Sequence, residues 1–203
     1  MSIRTALTLT LAALALLCSC RREAYTPKPT AYMRIDLPQH EYCHLDTMIA
    51  PRTGHHLPFI FETNKCIEWK EKDAPAGERW VDLMYPQWDG VIFLTYRRLA
   101  SPDSLRSQVD ESLRYLENQY RFASGVDEKG YEDHDNQVYG TVNYIKGSRV
   151  ASTCQFWLTD STRHFLRGAL YLNRVPNNDS MAPVIEYMQA DIRHLVETLR
   201  WVE

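Results

Sequence analysis

The chain has 203 residues, 23 of them Lys or Arg and 26 Asp or Glu, for a formal net charge of −3. That balance, with no basic face, argues against a nucleic-acid partner. The length suits one domain with a core of its own plus a short appendage.

The appendage comes first. Met1 to Thr5 carries one positive charge, Arg4, and Ala6 to Leu17 is apolar apart from Thr8 and Thr10. Such a run matches the apolar region of a signal peptide and is too short for a membrane span, which needs roughly 20 residues. It ends in Leu17-Cys18-Ser19-Cys20, which reads as a lipoprotein processing box. Ser19 is the small residue the peptidase needs before the cysteine, and Leu17 sits two residues further back. Cys18 fits less well, because bulky Leu17 would precede it. Residues 1–19 are therefore expected to be a signal peptide and Cys20 the lipidated residue. A thioether diacylglycerol and an N-acyl chain (palmitate-type chains) make three anchors. Each buried methylene contributes about 0.8 kcal/mol, so release would be negligible. Arg21, Arg22 and Glu23 contain no acidic run, a pattern that resembles lipoproteins facing the periplasm. Residues 20–30 form the lipidated end and a tether spaced by Pro27 and Pro29. Residues 31–203 remain for a single globular domain.

Along that domain, Met33, Ile35 and Leu37 alternate with Tyr32, Arg34 and Asp36, the period of a strand stopped by Pro38. His40 to His56 has little periodicity and contains Pro51 and Gly54, so it reads as a long connection. Leu57 to Phe61 and Cys66 to Trp69 are short apolar strands, followed by a polar loop from Lys70 to Arg79. Trp80 to Tyr85 and Gly90 to Arg97 pair around Pro86-Gln87-Trp88-Asp89. The second is apolar on both faces, hence central.

Ser101-Pro102-Asp103 opens a helix, with Ser as cap and Pro at the first position. Its apolar stripe is Leu105, Val109, Leu113, Leu116 and Tyr120, with Gly125 as a stop. Gly130 to Asp135, Gln137 to Lys146, Arg149 to Thr159 and Thr162 to Asn173 read as an antiparallel meander, with tight turns at Gly147-Ser148 and Asp160-Ser161. A last helix is expected from Met181 to Trp201. Ile185, Met188, Ile192, Leu195 and Leu199 form its core stripe, and Glu186, Asp191, Arg193 and Glu197 face away.

The expected fold is therefore α+β: a mostly antiparallel sheet packed by two amphipathic helices, each needing the other to bury its apolar face. Its element order is similar to the PsbP/Mog1 type of sandwich, an analogy of fold that carries no function.

No motif for chemistry stands out. There is no P-loop, no G-x-G-x-x-G and no G-x-S-x-G. His40-x-x-Cys43-His44 and His55-His56 invite a metal, but no second Cys/His pair follows at finger spacing. Glu132-Asp133-His134-Asp135 has the composition of an acid/base cluster at a place where turns ordinarily put such residues. His194 reads as a surface or boundary residue. Trp80, Trp88 and Asp89 near a turn make either a ligand patch or packing. Cys154 reads as a core thiol. Cys43 and Cys66 either form a disulfide or stay free. The expectation is no catalytic residue, no cofactor site and no metal site. Asp46-Thr47, Asp103-Ser104, Asp160-Ser161 and Asp179-Ser180 resemble an envelope O-glycosylation sequon, which makes Thr47, Ser104, Ser161 and Ser180 candidate acceptors. The same dipeptides are also good turn and helix-entry chemistry.

Two stretches together resemble the gliding motility-associated lipoprotein GldD family of Bacteroidota. One is Pro27-Lys28-Pro29-Thr30-Ala31-Tyr32-Met33-Arg34-Ile35-Asp36-Leu37-Pro38. The other runs from Gly168-Ala169-Leu170-Tyr171-Leu172-Asn173 through Asn178-Asp179-Ser180-Met181-Ala182-Pro183 to His194-Leu195-Val196-Glu197-Thr198-Leu199-Arg200-Trp201. Pro58 to Glu62 and Trp80 to Tyr96 also fit. The resemblance implies a non-enzymatic envelope protein supporting gliding motility or the assembly of the type IX secretion machinery through contacts with other envelope proteins. Of the residues, only Cys20 carries over. A periplasmic hydrolase and a small-ligand-binding lipoprotein are the alternatives.

Overall fold

The computed structural model describes residues 34–54 and 56–202. The expected signal peptide, Cys20 and the expected tether lie outside the described residues. A seven-stranded antiparallel sheet forms the middle layer. Its strands are β4 (Glu68–Lys72), β5 (Glu78–Tyr85), β6 (Gly90–Arg98), β7 (Gly125–Asp133), β8 (Val138–Lys146), β9 (Ser152–Thr159) and β10 (His164–Leu172), in the order β4-β5-β6-β10-β9-β8-β7. Two runs of hairpins meet along β6 and β10, in register from Gly90 opposite Leu172 to Arg98 opposite His164. That seam buries both its faces, with Val91, Ile92, Leu94, Phe165, Leu166, Ala169 and Leu170 all inside. It is the physical reason β6 is apolar on both sides. Gly168 is required there, because a Cβ at that position would overlap the Phe156 ring.

The helix α3 (Asn178–Thr198) lies on one face of the sheet. Ile185, Met188, Ile192, Leu195 and Leu199 are buried, as the stripe predicts, and all but Ile185 close the main core with Leu83, Leu94, Phe156, Leu158, Leu166 and Leu170. Two small ribbons complete this side: β1 (Tyr42–His44) with β3 (Glu62–Asn64), and β2 (Phe59–Ile60) with β11 (Arg200–Trp201). A short helix, α1 (Leu45–Thr53), adds Leu45 and Ile49 to the same core. The opposite face carries α2 (Pro102–Tyr120), whose first turn is capped by Ser104 N–H donating to Ser101 Oγ at 3.3 Å.

The expected α+β class therefore holds, with hairpins, meander and both long helices in place. Several local readings are corrected. Arg34 to Leu37 keeps its alternation, with Ile35 and Leu37 half-buried against the core, but pairs with no strand among the described residues. The stretch from His40 to His56 is not one loop. β1 and α1 fill it, and their only sequence signal is Leu45 and Ile49 four residues apart. β7 begins at Gly125 rather than Gly130, and the last helix ends at Thr198, followed by β11.

The α2 stripe is also rotated from its expected position. Leu116 and Ser112 are buried, whereas Leu113 and Tyr120 are 42% and 52% exposed. The sheet face beneath α2 is the cause. It presents Arg97, which bonds Gln108 Oε1 at 2.6 Å and Glu111 Oε2 at 2.7 Å, and Arg167, whose guanidinium stacks on Tyr115 at 4.2 Å. A polar floor selects the polar edge of the helix, and the apolar contact there is a small cluster of Leu116, Ile145 and Val150 with Ala123 and Val126 packed against it.

Candidate functional site

The densest polar constellation among the described residues surrounds Asp191, which sequence periodicity had placed on the outer face of α3. It is 3% exposed. Its Oδ1 accepts from His40 Nδ1 at 2.7 Å and Tyr42 O–H at 3.0 Å, and its Oδ2 from Tyr85 O–H at 2.8 Å. Asn64 Nδ2 lies 3.3 and 3.2 Å from the two oxygens and donates also to Tyr187 O–H at 2.7 Å. A buried carboxylate is costly unless its lone pairs are filled, and here four side chains from four elements or segments fill them.

The fold explains how these residues meet. Tyr187, Asp191 and His194 follow at i, i+4 and i+7 on α3, one face of a helix. His40, Tyr42 and His44 alternate along β1 and its approach, so they share the side that faces α3. Their rings interleave. His40 stacks on Tyr187 at 4.0 Å between centroids, and Tyr42 stacks on His194 at 3.7 Å. Glu62 on β3 ties the far end, 2.7 Å from His194 Nε2 and 3.8 Å from His44 Nε2.

Burial, reinforced by the Asp191 charge, raises the Tyr42 and Tyr85 hydroxyls above their ordinary range. Burial likewise pushes Tyr187 up to about 12, with the Asn64 donor pulling the other way. At neutral pH the Tyr42 and Tyr85 phenols donate to the Asp191 carboxylate, whereas the Tyr187 hydroxyl accepts from Asn64. Cys43 and Cys66 are free, each with its thiol raised chiefly by burial, and so is Cys154, fully buried in β9 as expected. No thiolate nucleophile is prepared in this cluster. What the arrangement does is fasten the segment from His40 to His44 onto the last helix.

The motifs singled out in the sequence do not converge. His40 turns to Asp191, Cys43 to the Met48 sulfur at 3.6 Å, and His44 to Glu62. His56 pairs with Asp46 at 2.9 Å, and His55 lies outside the described residues. No group of three metal-ligating side chains is gathered among the described residues. Asp133 caps its own turn by accepting from Asn136 N–H at 3.1 Å, and His134 is exposed beside it. Trp88 is buried against Tyr85 and Tyr187, whereas Trp80 points to Glu78 on the other face, so the turn near Asp89 is packing.

Of the candidate hydroxyl acceptors, Thr47 donates to His44 C=O at 2.6 Å and Ser180 to Asn177 C=O at 2.9 Å, and Ser104 lies 3.0 Å from Ser101 Oγ. Ser161 alone among the four stands on a hairpin tip, exposed and at φ 66°. The functional residue that sequence reading missed is Asp191. Its periodicity said surface, and no local signal reveals donors contributed by residues more than a hundred positions away.

A family model described as gliding motility lipoprotein GldD matches residues 22–201. A search of curated proteins finds no match.

Proposed function

The chain belongs to the gliding motility lipoprotein GldD family, and from that premise we propose a lipid-anchored, periplasm-facing protein that supports the motility and type IX secretion machinery by binding other envelope proteins. The observation that carries this reading is the family match across residues 22–201, which begins just after the processing box. Cys20 is the lipid site and membrane attachment its role. No helix among the described residues is long and apolar enough to cross a membrane. The Asp191 cluster supports the reading in a second way. Its donors and acceptors are engaged with one another, so it serves to join the tether-proximal segment to the body. Ser161 is the acceptor we favour for any O-linked sugar, because it is exposed at a hairpin tip, whereas the hydroxyl of Thr47, also exposed, bonds the His44 carbonyl.

The test is a pull-down of the membrane-anchored protein from its own cells, paired with gene deletion. Recovery of secretion-machinery components, with loss of gliding or secretion on deletion, is the expected result. Unchanged gliding, secretion and partner levels after deletion would sink the proposal.

A further inference from the structure

Away from the Asp191 cluster, at the opposite end of the β5–β6 hairpin from its turn, lies a cleft of about 360 Å³. It is lined by Leu57, Pro58 and Val202 on one wall and by Arg79, Arg98 and Tyr96 on the other. That volume sits at the small end of the range for organic ligands. Register explains the convergence. Arg79 is opposite Tyr96 on adjacent strands, and Arg98 is opposite His164 on the next, all on the face that α3 covers further along.

Tyr96 is buried, and its hydroxyl lies 2.9 Å from His164 Nδ1. Trp201 stacks on the same imidazole at 5.1 Å. Burial raises the Tyr96 hydroxyl and Asp160 adds to that, while Arg98, Arg163 and Arg79 pull it down, so three guanidiniums and one carboxylate stand within electrostatic reach of this oxygen. The acidic groups nearby are already engaged. Asp46 holds His56, and Asp160 Oδ1 accepts from the amides of Thr162, Arg163 and His164 at 2.9, 2.8 and 2.8 Å. Glu78 also lines the cleft, but its carboxylate accepts from Trp80 Nε1 at 2.9 Å and lies 3.3 Å from Arg97 Nε. Glu71 reaches Arg79 only at 3.7 Å, and the Arg98 side chain has no carboxylate partner among the described residues.

We propose that this cleft binds the oxyanion head of a ligand, a phosphate or a carboxylate, between Arg79 and Arg98 and above Tyr96. Guanidinium forks match the planar geometry of such groups and bond them more strongly than neutral donors do. With the proton of His164 on Nδ1, the Tyr96 O–H is left to donate into the cleft, and a bound oxyanion selects that tautomer. Leu57, Pro58 and Val202 then offer an apolar wall to whatever carries the head group.

The experiment is a titration of the full chain in detergent micelles with inorganic phosphate at fixed ionic strength, read from the 15N–H signals of the arginine side chains. The expected result is a saturable shift confined to Arg79 and Arg98. Arg98→Gln should weaken binding about tenfold, and Arg114→Gln, on the exposed side of α2, should leave it unchanged. Retention of the wild-type melting curve shows that either variant is folded. A shift reproduced by sodium chloride, or a titration unaltered in the Arg79→Gln/Arg98→Gln double variant, overturns the proposal. Acetate run in parallel tells carboxylate from phosphate. Vesicles containing phosphatidylglycerol that displace phosphate assign the head group to a lipid, and vesicles that fail to displace it assign a soluble ligand. Both outcomes rest on the same site. None of these readouts depends on the motility role.

Discussion

Asp191 shows how much one residue can decide. Removing its carboxylate leaves His40, Tyr42, Asn64 and Tyr85 as donors without their shared acceptor. Asp191→Ala is expected to lower stability by about 3 kcal/mol, with Asp191→Asn milder because one oxygen remains. Urea unfolding would check it, and a wild-type midpoint for the alanine variant would refute it. Asp160 gives the pH dependence. Burial disfavours its charge, but the three amides it accepts outweigh that and hold its carboxyl below the usual range. A depressed folded-state pKa contributes stability that is present above the unfolded value of about 3.9 and lost as pH falls through the folded value. Between pH 5 and pH 3 the wild type should therefore lose more stability than Asp160→Asn, measured by chemical denaturation at each pH.

The two long helices obey different rules. α3 follows its sequence stripe because the sheet face beneath it is apolar, whereas α2 sits on Arg97 and Arg167 and turns its polar edge inward. Substitution should expose the difference. Leu116→Ala should cost about 2–4 kcal/mol, while Leu113→Ala and Tyr120→Ala, though part of the same written stripe, should stay within about 0.5 kcal/mol. Losing the Ser101 cap should cost about 1 kcal/mol. Thermal melts of the four variants would rank them, and a Leu113 variant as damaged as the Leu116 variant would contradict the rotated docking.

For the whole molecule, the decisive variant is Cys20→Ala. With the lipid site gone, the domain should remain folded and appear in the soluble periplasmic fraction. Fractionation that still finds it on the membrane would end the anchor proposal. A lipid-free domain that stays folded is expected because the described residues by themselves form a large apolar core, from Leu45 to Leu199.

Much of the fold was legible in the sequence for local reasons. Ser101-Pro102 marked a helix start, and an apolar strand on both faces marked the centre of the sheet. Gly147-Ser148 and Asp160-Ser161 marked the breaks of the meander, although the connections there span residues 147–151 and 160–163 rather than two residues each. β1 and α1 were not legible, because three and nine residues carry too little periodicity to rise above a loop. The site was less legible still. His40, Tyr42, Asn64, Tyr85 and Asp191 are individually ordinary, and their meaning lies in a meeting across long stretches of chain.

The sequence by itself determined the class, through alternating or helical patterns that imply an antiparallel sheet with helices on it, and its short apolar run and the cysteine behind a small residue are what the anchor proposal rests on. These are local properties, set by the steric and hydrophobic character of neighbouring residues. Only the tertiary structure decided which side of each helix is inside, that Asp191 is a hub rather than a surface charge, and that Arg79 and Arg98 share a cleft. Burial and electrostatic environment are properties of what lies opposite, and periodicity does not specify what lies opposite.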